Sequence, residues 1–141
     1  MPKGSCLCHQ LQYEYQGDPL MKASHTLVVM DRVLASSFIF GSTNTFNLLL
    51  PHDKLTITSG TPKQYTETHE SGENLTVFFC GDCGSAVYKT HGLFPEKVVL
   101  LAGTLDDADG LEQAKPQVEL FVKHRPSWLN GLDWADQKME F

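Results

Sequence analysis

The chain has 141 residues, of which 41% are apolar, and its formal net charge is −6 with the histidines counted as neutral. This length and apolar content predict a single domain, residues 1–141, that can bury its own core. The acidic charge and the lack of a lysine and arginine cluster argue against a nucleic-acid partner, and no apolar run reaches the roughly 18 residues that a membrane-spanning helix needs.

The predicted elements are strands almost throughout the chain. Leu7–Tyr15 alternates apolar and polar side chains, which is typical of a half-buried strand. Periodicity does not assign residues 21–40 to helix or strand. Further strands are predicted, in chain order, at Phe46–Leu50, Leu55–Thr58, Lys63–Thr68, Leu75–Phe79, Gly84–Tyr88, Val98–Ala102 and Val118–Lys123. Because no segment shows a sustained helical period, the sequence predicts a mainly β protein.

Four cysteines lie in two close pairs, Cys6 with Cys8 and Cys80 with Cys83. Four thiolates from two distant segments match the ligand set of a tetrahedral zinc ion, and no cysteine is left over. Each pair is predicted at the end of a strand, where the backbone can turn its amides toward the sulfurs. The spacing therefore predicts one structural zinc ion.

Two other roles for the cysteines are less favoured. Two disulfides would need an oxidising compartment, but the N-terminal residues lack the apolar segment of a secretory signal, so we expect a cytoplasmic protein. A thioredoxin-like redox pair at Cys80 and Cys83 would need a helix to begin at the second cysteine, whereas Gly84–Tyr88 is predicted as a strand.

Five motifs together give the chain a resemblance to a known family. They are Gly4–Cys8, Thr58–Tyr65, Phe79–Ser85, Gly103–Asp107 and Phe121–Trp128, and they span nearly the whole length. In these motifs the chain resembles the glutathione-dependent formaldehyde-activating enzyme family, which also includes a centromere-protein branch. The resemblance implies a β-tent fold of small antiparallel sheets around a structural zinc ion held by the four cysteines.

The chain departs from this family in the segment that follows the first strand. Family members usually carry a second cysteine cluster there, C-x-C-x-x-C, and the resemblance implies that it holds a catalytic zinc ion. This chain has no cysteine between Cys8 and Cys80. The residues that two rival alignments place at the three positions are His25, Leu27 and Met30, or Asp31, Val33 and Ser36. Neither set contains three good zinc ligands, so we expect the catalytic metal to be lost.

Four polar residues are the candidates for catalysis, namely His25, Asp31, Arg32 and Glu119. His25 and Asp31 occupy rival positions of the lost cluster, and Arg32 can bind an anionic or carbonyl oxygen unless Asp31 and Arg32 form a surface turn. Glu119 stands where the family often has histidine, although a solvent-facing Glu119 is the alternative. Imidazoles and carboxylates exchange protons near neutral pH when burial shifts their pKa values. The remaining histidines are expected to be solvated or locally hydrogen-bonded: His9, His52, His69, His91 and His124.

Three functions remain open at this point. The first is a divergent enzyme of lyase, isomerase or cyclase type that uses acid and base side chains on a small-molecule substrate, with zinc in a structural role only. The second is the family's carbon-sulfur lyase chemistry on a glutathione-aldehyde adduct. The third is a non-catalytic, zinc-stabilised binding protein. The sequence indicates neither the substrate nor the oligomeric state.

Overall fold

Two β-sheets make up most of the computed structural model, which describes residues 1–27 and 40–141. The strands in chain order are β1 (Lys3–Ser5), β2 (Gln12–Tyr15), β3 (Met21–Thr26), β4 (Asn44–Pro51), β5 (Leu55–Ser59), β6 (Lys63–Thr68), β7 (Asn74–Phe79), β8 (Ala86–His91), β9 (Lys97–Leu101), β10 (Val118–Leu120) and β11 (Asp136–Gln137). Connections include the helix α1 (Gly110–Gln113) and 3-10 turns at His52–Lys54, Ala102–Thr104 and Val122–His124. The prediction of a mainly β fold is confirmed.

Two predicted strands are shorter than expected. The strand predicted over Leu7–Tyr15 begins only at β2, because the chain first turns between Cys6 and Leu11 with His9 in a left-handed conformation at φ 59°. The last predicted strand ends at Leu120, since Phe121 is also left-handed, at φ 54°. Residues 21–40, which periodicity left unassigned, begin with β3, and residues 28–39 lie outside the described part of the chain.

The smaller sheet has β2 at its centre, paired antiparallel with β1 and with β5. Gly4 on β1 lies opposite Tyr13 on β2, and a Cβ at Gly4 would come within 2.2 Å of the Tyr13 ring carbon that bears the hydroxyl. A side chain at this position would therefore push the ring away. The packing of Tyr13 fixes β1, which leads directly into the first cysteine pair.

The larger sheet has the strand order β11-β10-β3-β4-β9-β8-β7-β6. Its neighbouring strands are antiparallel, except that β10 runs parallel to both β3 and β11. This order places β3 and β4, from the first half of the chain, between β10 and the hairpin strands β8 and β9. Residues that are far apart in the sequence therefore share one face of the sheet.

Alternation along the central strands separates the two faces of the larger sheet. On one face Leu48, Leu50, Val98 and Leu100 are each no more than 1% exposed and join the main core together with Tyr13 from the smaller sheet. Truncating such a leucine to alanine costs about 2 to 5 kcal/mol in unfolding free energy. The opposite face is more polar and contains a cavity. Among the described residues, no helix has the length and apolar character needed to cross a membrane.

Candidate functional site

Two turns bring the four cysteine sulfurs together, in what we call the cysteine centre. Cys6 and Cys8 follow β1, whereas Cys80 and Cys83 lie between β7 and β8. The four Sγ atoms are within 4.8 Å of one another, with 3.5 Å between those of Cys6 and Cys8 and 3.7 Å between those of Cys8 and Cys80. Sulfurs placed about 2.3 Å from a tetrahedral zinc ion would be about 3.8 Å apart, so this spacing fits a metal ion.

Hydrogen-bond donors point at the sulfurs of the cysteine centre. The backbone amide of Leu11 lies 3.3 Å from Cys6 Sγ, and that of Asp82 lies 3.4 Å from Cys80 Sγ. The Ser85 hydroxyl lies 3.2 Å from Cys83 Sγ and, with the Ser85 backbone amide, lowers the pKa of that thiol to about 5. Such donors stabilise thiolates, which are the form that binds metal. The four cysteines are therefore positioned to hold a metal ion.

A cavity of about 170 Å³ lies on the opposite face of the larger sheet, and we call it the histidine cavity. Most of its walls are apolar, formed by Met21, Ala23, Leu49, Leu75, Phe94, Val99, Leu120 and Phe141. Its polar lining residues are His25, Asn47, His69, Lys89, His91 and Lys97. A small apolar chamber with a few converging polar groups is the usual form of a small-molecule site.

The strand register explains how these distant residues meet. His25 on β3 is paired with Leu120 on β10, and Lys89 on β8 is paired with Val99 on β9. Directly paired residues share a face of the sheet, and every second residue along a strand returns to that face. For this reason His91 lies on the same side as Lys89.

Three imidazole rings gather in the histidine cavity. The ring centroids of His69 and His91 are 4.6 Å apart in a T-shaped arrangement, and those of His25 and His69 are 6.4 Å apart. His69 is 3% exposed and His91 is 7% exposed. The expectation of a local hydrogen bond holds for both rings, but sequence reasoning missed that both line a cavity. The predicted strand ends at Tyr88, whereas β8 continues to His91 and so places Lys89 and His91 two residues apart on one face.

Three buried polar atoms of the histidine cavity have no hydrogen-bond partner among residues 1–27 and 40–141. They are His25 Nε2, His91 Nε2 and Asn47 Oδ1. A buried polar atom left unpaired costs about 1 to 3 kcal/mol, and native folds contain few of them. Three such atoms around one chamber indicate that the cavity is built for a ligand rather than for stability.

Backbone contacts assign the tautomers of two of the rings. The amide of Leu93 donates to His91 Nδ1 over 3.1 Å, and the amide of Ser71 donates to His69 Nδ1 over 3.2 Å. Because each Nδ1 accepts a hydrogen bond, the proton of each neutral ring is on Nε2. His91 therefore has an N–H group in the cavity wall that meets no acceptor in the described part of the chain.

Burial keeps the imidazoles of the cavity neutral. Desolvation lowers the pKa of His25 well below its usual value, lowers that of His69 to about 4, and lowers that of His91 as well. The positive charge of Lys89 adds to each of these effects. At neutral pH the rings are therefore uncharged, so they can accept or donate hydrogen bonds without prior loss of a proton.

Of the two predicted catalytic residues that the structure describes, His25 lies in the cavity wall and Glu119 does not. Glu119 neighbours Leu120 along β10, and since alternate residues face opposite sides, its side chain leaves the sheet away from His25. The structure therefore does not bring Glu119 and His25 together. Asp31 and Arg32 lie outside the described residues.

Glu119 has several hydrogen-bond partners of its own. Its Oε2 atom accepts from Arg125 Nη2 over 2.8 Å, from the Leu132 amide over 2.9 Å and from Gln137 Nε2 over 2.5 Å. Glu119 is only 7% exposed, so the alternative that it faces solvent is wrong. Its place in the structure is a buried link between β10 and the C-terminal segment.

The C-terminal segment covers the histidine cavity with an aromatic ring. The Phe141 ring lies 5.4 Å from that of His91, 5.2 Å from that of Phe94 and 4.8 Å from that of Phe121, measured between centroids. The backbone beside it is held by a hydrogen bond from the Phe121 amide to the Glu140 carbonyl, 3.2 Å long. Phe141 is nevertheless 45% exposed, so it forms the outer wall of the chamber.

The sequence model of the glutathione-dependent formaldehyde-activating enzyme family matches residues 1–124. The chain belongs to this family. Membership indicates a small-molecule enzyme related to glutathione chemistry and confirms the resemblance seen in the motifs. The match ends before the segment that contains Phe141, so this part of the cavity wall lies outside the family pattern.

Comparison with solved structures supports the fold. A crystal structure of a Rhodobacter sphaeroides protein from a structural genomics programme superposes with a TM-score of 0.56 at 14% sequence identity. The match covers 78% of this chain and 93% of that one. At this identity the likeness shows a shared fold only. No curated protein matches the sequence.

The second, catalytic zinc ion implied by the family does not fit the described residues. Of the positions proposed for its ligands, His25 and Leu27 are described, and Leu27 is a buried apolar side chain. Within residues 1–27 and 40–141, only the cysteine centre brings three or more histidine, cysteine or carboxylate ligand atoms within 4.8 Å of one another. We therefore derive no chemistry through a second metal ion.

Proposed function

We propose that this protein is a small-molecule enzyme of lyase, isomerase or cyclase type that works by general acid-base catalysis in the histidine cavity. The observation that carries the proposal is the set of three unpaired buried atoms around the chamber, on His25, His91 and Asn47. A substrate with a carbonyl or hydroxyl group would supply the missing hydrogen bonds. The energy lost by leaving these atoms unpaired is recovered only when such a molecule binds.

The two histidines suit different tasks. His91 presents Nε2–H and, as a neutral ring, can polarise a carbonyl oxygen by donating a hydrogen bond. His25 is neutral at physiological pH, and its unpaired Nε2 is available as the general base that removes a proton from carbon or oxygen. General acid-base catalysis of this kind is typically worth about 10² to 10⁴ in rate.

We propose that the cysteine centre holds one Zn²⁺ ion in a structural role. Four thiolates fill the tetrahedral coordination of zinc, which leaves no open position for a substrate. The donors on Leu11, Asp82 and Ser85 that point at the sulfurs are typical of such closed sites. The metal would then stabilise the two turns that precede β2 and β8.

Family membership supports a second candidate, a carbon-sulfur lyase that acts on a glutathione-aldehyde adduct. The cysteines that would bind the thiol through a catalytic zinc ion are missing from this sequence. We therefore expect no acceleration of adduct formation between glutathione and formaldehyde over a buffer control. Zinc-dependent turnover that is lost in His25→Ala would favour this candidate over the first.

The acid-base proposal is tested by exchange of protons next to a carbonyl, a step that lyases, isomerases and cyclases share. Phenylacetone and cyclohexanone are incubated in D₂O with the protein, and loss of the α-proton signals is followed by NMR. We expect acceleration by the wild type that falls at least tenfold in His25→Asn and in His91→Asn. His52→Asn, on an exposed turn, is the matched control and should exchange as fast as the wild type.

Two results would count against the proposal. Exchange that is equal in all four proteins would place the chemistry elsewhere. Absence of both α-proton exchange and glutathione adduct formation would favour the non-catalytic binding protein. Zinc content and melting temperature, measured on every variant, show whether a loss of exchange reflects a loss of fold.

A further inference from the structure

The histidine cavity contains a buried amine that the acid-base proposal does not use. Lys89 lies in the middle of β8, paired with Val77 on one side and Val99 on the other, and is only 2% exposed. Lysine is seldom buried to this extent, since taking an ammonium group out of water is costly. A buried lysine in the wall of a ligand cavity therefore suggests a chemical role.

Within the part of the chain that the structure describes, the surroundings of the Lys89 amine are largely uncharged. Its Nζ atom donates a hydrogen bond to the hydroxyl oxygen of Thr45 over 3.2 Å and lies 5.0 Å from the centroid of the Phe40 ring. Among the described residues, the titratable groups that interact with it electrostatically include Glu67, which favours the ammonium form, and the histidines at 25, 69 and 91. The imidazoles are neutral at physiological pH and do not compensate the positive charge.

These surroundings make the amine a better nucleophile than an exposed lysine. Burial lowers the pKa of Lys89 to about 8, although the Glu67 carboxylate opposes the shift. At pH 7 about one-tenth of the molecules then carry the neutral amine, which is about 10² times the fraction for an exposed lysine. Only the neutral amine has the electron pair that attacks a carbonyl carbon.

We propose that Lys89 forms a Schiff base with an aldehyde or ketone in the histidine cavity, and hence that the substrate of this enzyme is a small, mostly apolar carbonyl compound. This inference rests on the proposed function and narrows it. An iminium carbon attracts electrons from its neighbours more strongly than a carbonyl carbon does. Removal of an adjacent proton by His25 would then be easier than in the free ketone.

The covalent step balances without a redox partner. The Nζ electron pair forms a bond to the carbonyl carbon, and the carbonyl π electrons move to the oxygen. One amine proton and one proton from solvent then pass to that oxygen, which leaves as water. The nitrogen keeps its second proton, so the carbon-nitrogen double bond forms as an iminium. His25 Nε2 is the unpaired base available to carry these protons, and His91 Nε2–H can stabilise the oxygen while it is negative.

Reductive trapping on the intact wild-type protein tests the Schiff base. The protein is treated at pH 7 with a limiting amount of benzaldehyde and sodium cyanoborohydride, which reduces the imine to a stable benzylamine, and modified lysines are identified by peptide mapping. Lys97 is the internal control, since it also lines the cavity but forms an ion pair with Glu96 at 3.6 Å. We expect Lys89 to be labelled at least tenfold faster than Lys97.

Two variants and one contrary result complete the experiment. Lys89→Arg keeps the charge, removes the nucleophile and should abolish the fast label, whereas Lys97→Arg should leave it unchanged. Labelling of Lys89 that is absent, or no faster than that of Lys97, overturns the inference. Because mapping is done on the wild type, the result does not depend on the folding of any variant.

The trapping experiment tests the Schiff base and the α-proton exchange tests acid-base catalysis, so either proposal can fail without the other. Exchange that requires His25 and His91 in a protein whose Lys89 is not trapped would leave acid-base catalysis standing and remove the Schiff base. Rapid trapping at Lys89 with exchange that is unaffected by the histidine variants would retain the carbonyl site and overturn the acid-base roles.

Discussion

The cysteine centre and the histidine cavity lie on opposite faces of the same central strands and differ in how their polar atoms are paired. On β8, Tyr88 packs with the core that includes Cys6 and Cys80, whereas the next residue, Lys89, faces the cavity. In the cysteine centre, backbone and hydroxyl groups donate to the sulfurs. In the histidine cavity, three buried polar atoms have no hydrogen-bond partner among the described residues.

From this difference in pairing we infer that the cysteine centre stabilises the fold and that the histidine cavity carries the function. A site whose donors and acceptors are all paired lowers the free energy of the fold, and it gains nothing from a further ligand. A site with unpaired buried atoms costs stability and is retained when a ligand completes it. We therefore expect changes in the cysteine centre to unfold the protein and changes in the histidine cavity to alter its chemistry or its pH response.

The largest effect is expected from loss of a cysteine ligand. Cys80→Ser should leave the chain largely unfolded, because structural zinc contributes about 10 kcal/mol or more of apparent binding free energy. Circular dichroism and metal content would show the loss. Asp82→Ala is the matched control, since Asp82 reaches Cys80 Sγ through its backbone amide. A Cys80→Ser protein that melts like the wild type would contradict a structural metal site.

Glu119 provides a second site whose polar atoms are paired. Glu119→Ala should lower the unfolding free energy by about 3 kcal/mol, because it leaves the Arg125 guanidinium without its buried carboxylate. Urea denaturation measures the change, and Glu112→Ala on the exposed side of α1 is the control. A Glu119→Ala protein that keeps wild-type stability but loses catalysis would instead support the catalytic role predicted for Glu119 from the sequence.

Acid should destabilise the histidine cavity. The pKa of His69 is about 4 in the folded protein and about 6.5 in an unfolded chain. Between these values the unfolded chain binds more protons, so stability falls as pH falls. From pH 7 to pH 5 this group should lower the unfolding free energy by about 2 kcal/mol. His69→Gln should reduce the slope of unfolding free energy against pH. An unchanged slope would show that the ring is not buried in its neutral form.

Sequence reasoning found the cysteine centre because its signal is local. Two residues between Cys80 and Cys83, and one between Cys6 and Cys8, are enough to predict two ligand pairs. The histidine cavity depends on register between strands that are distant in the sequence, and neither His69 nor His91 has a local pattern that predicts it. The position of Glu119 depends on partners in the C-terminal segment, which alternation along β10 does not reveal.

The smallest effect on stability is expected at the outer wall of the histidine cavity. Phe141→Ala should lower the unfolding free energy by less than about 1 kcal/mol, because the ring is half exposed, yet it should open the chamber. Modification of His69 and His91 by diethyl pyrocarbonate should then be several-fold faster. Leu93→Ala is the matched control, since Leu93 is also 45% exposed and does not line the cavity. Equal rates in the two variants would mean that Phe141 does not limit access.

We propose that the cysteine centre is structural and that the histidine cavity works without a metal ion. Zinc X-ray absorption tests this division most directly, on wild type and His25→Ala after incubation with excess zinc. We predict one zinc ion per chain, with four sulfur ligands at about 2.3 Å and the same spectrum in both proteins. A second zinc ion with nitrogen ligands, present in the wild type and lost in His25→Ala, would contradict it.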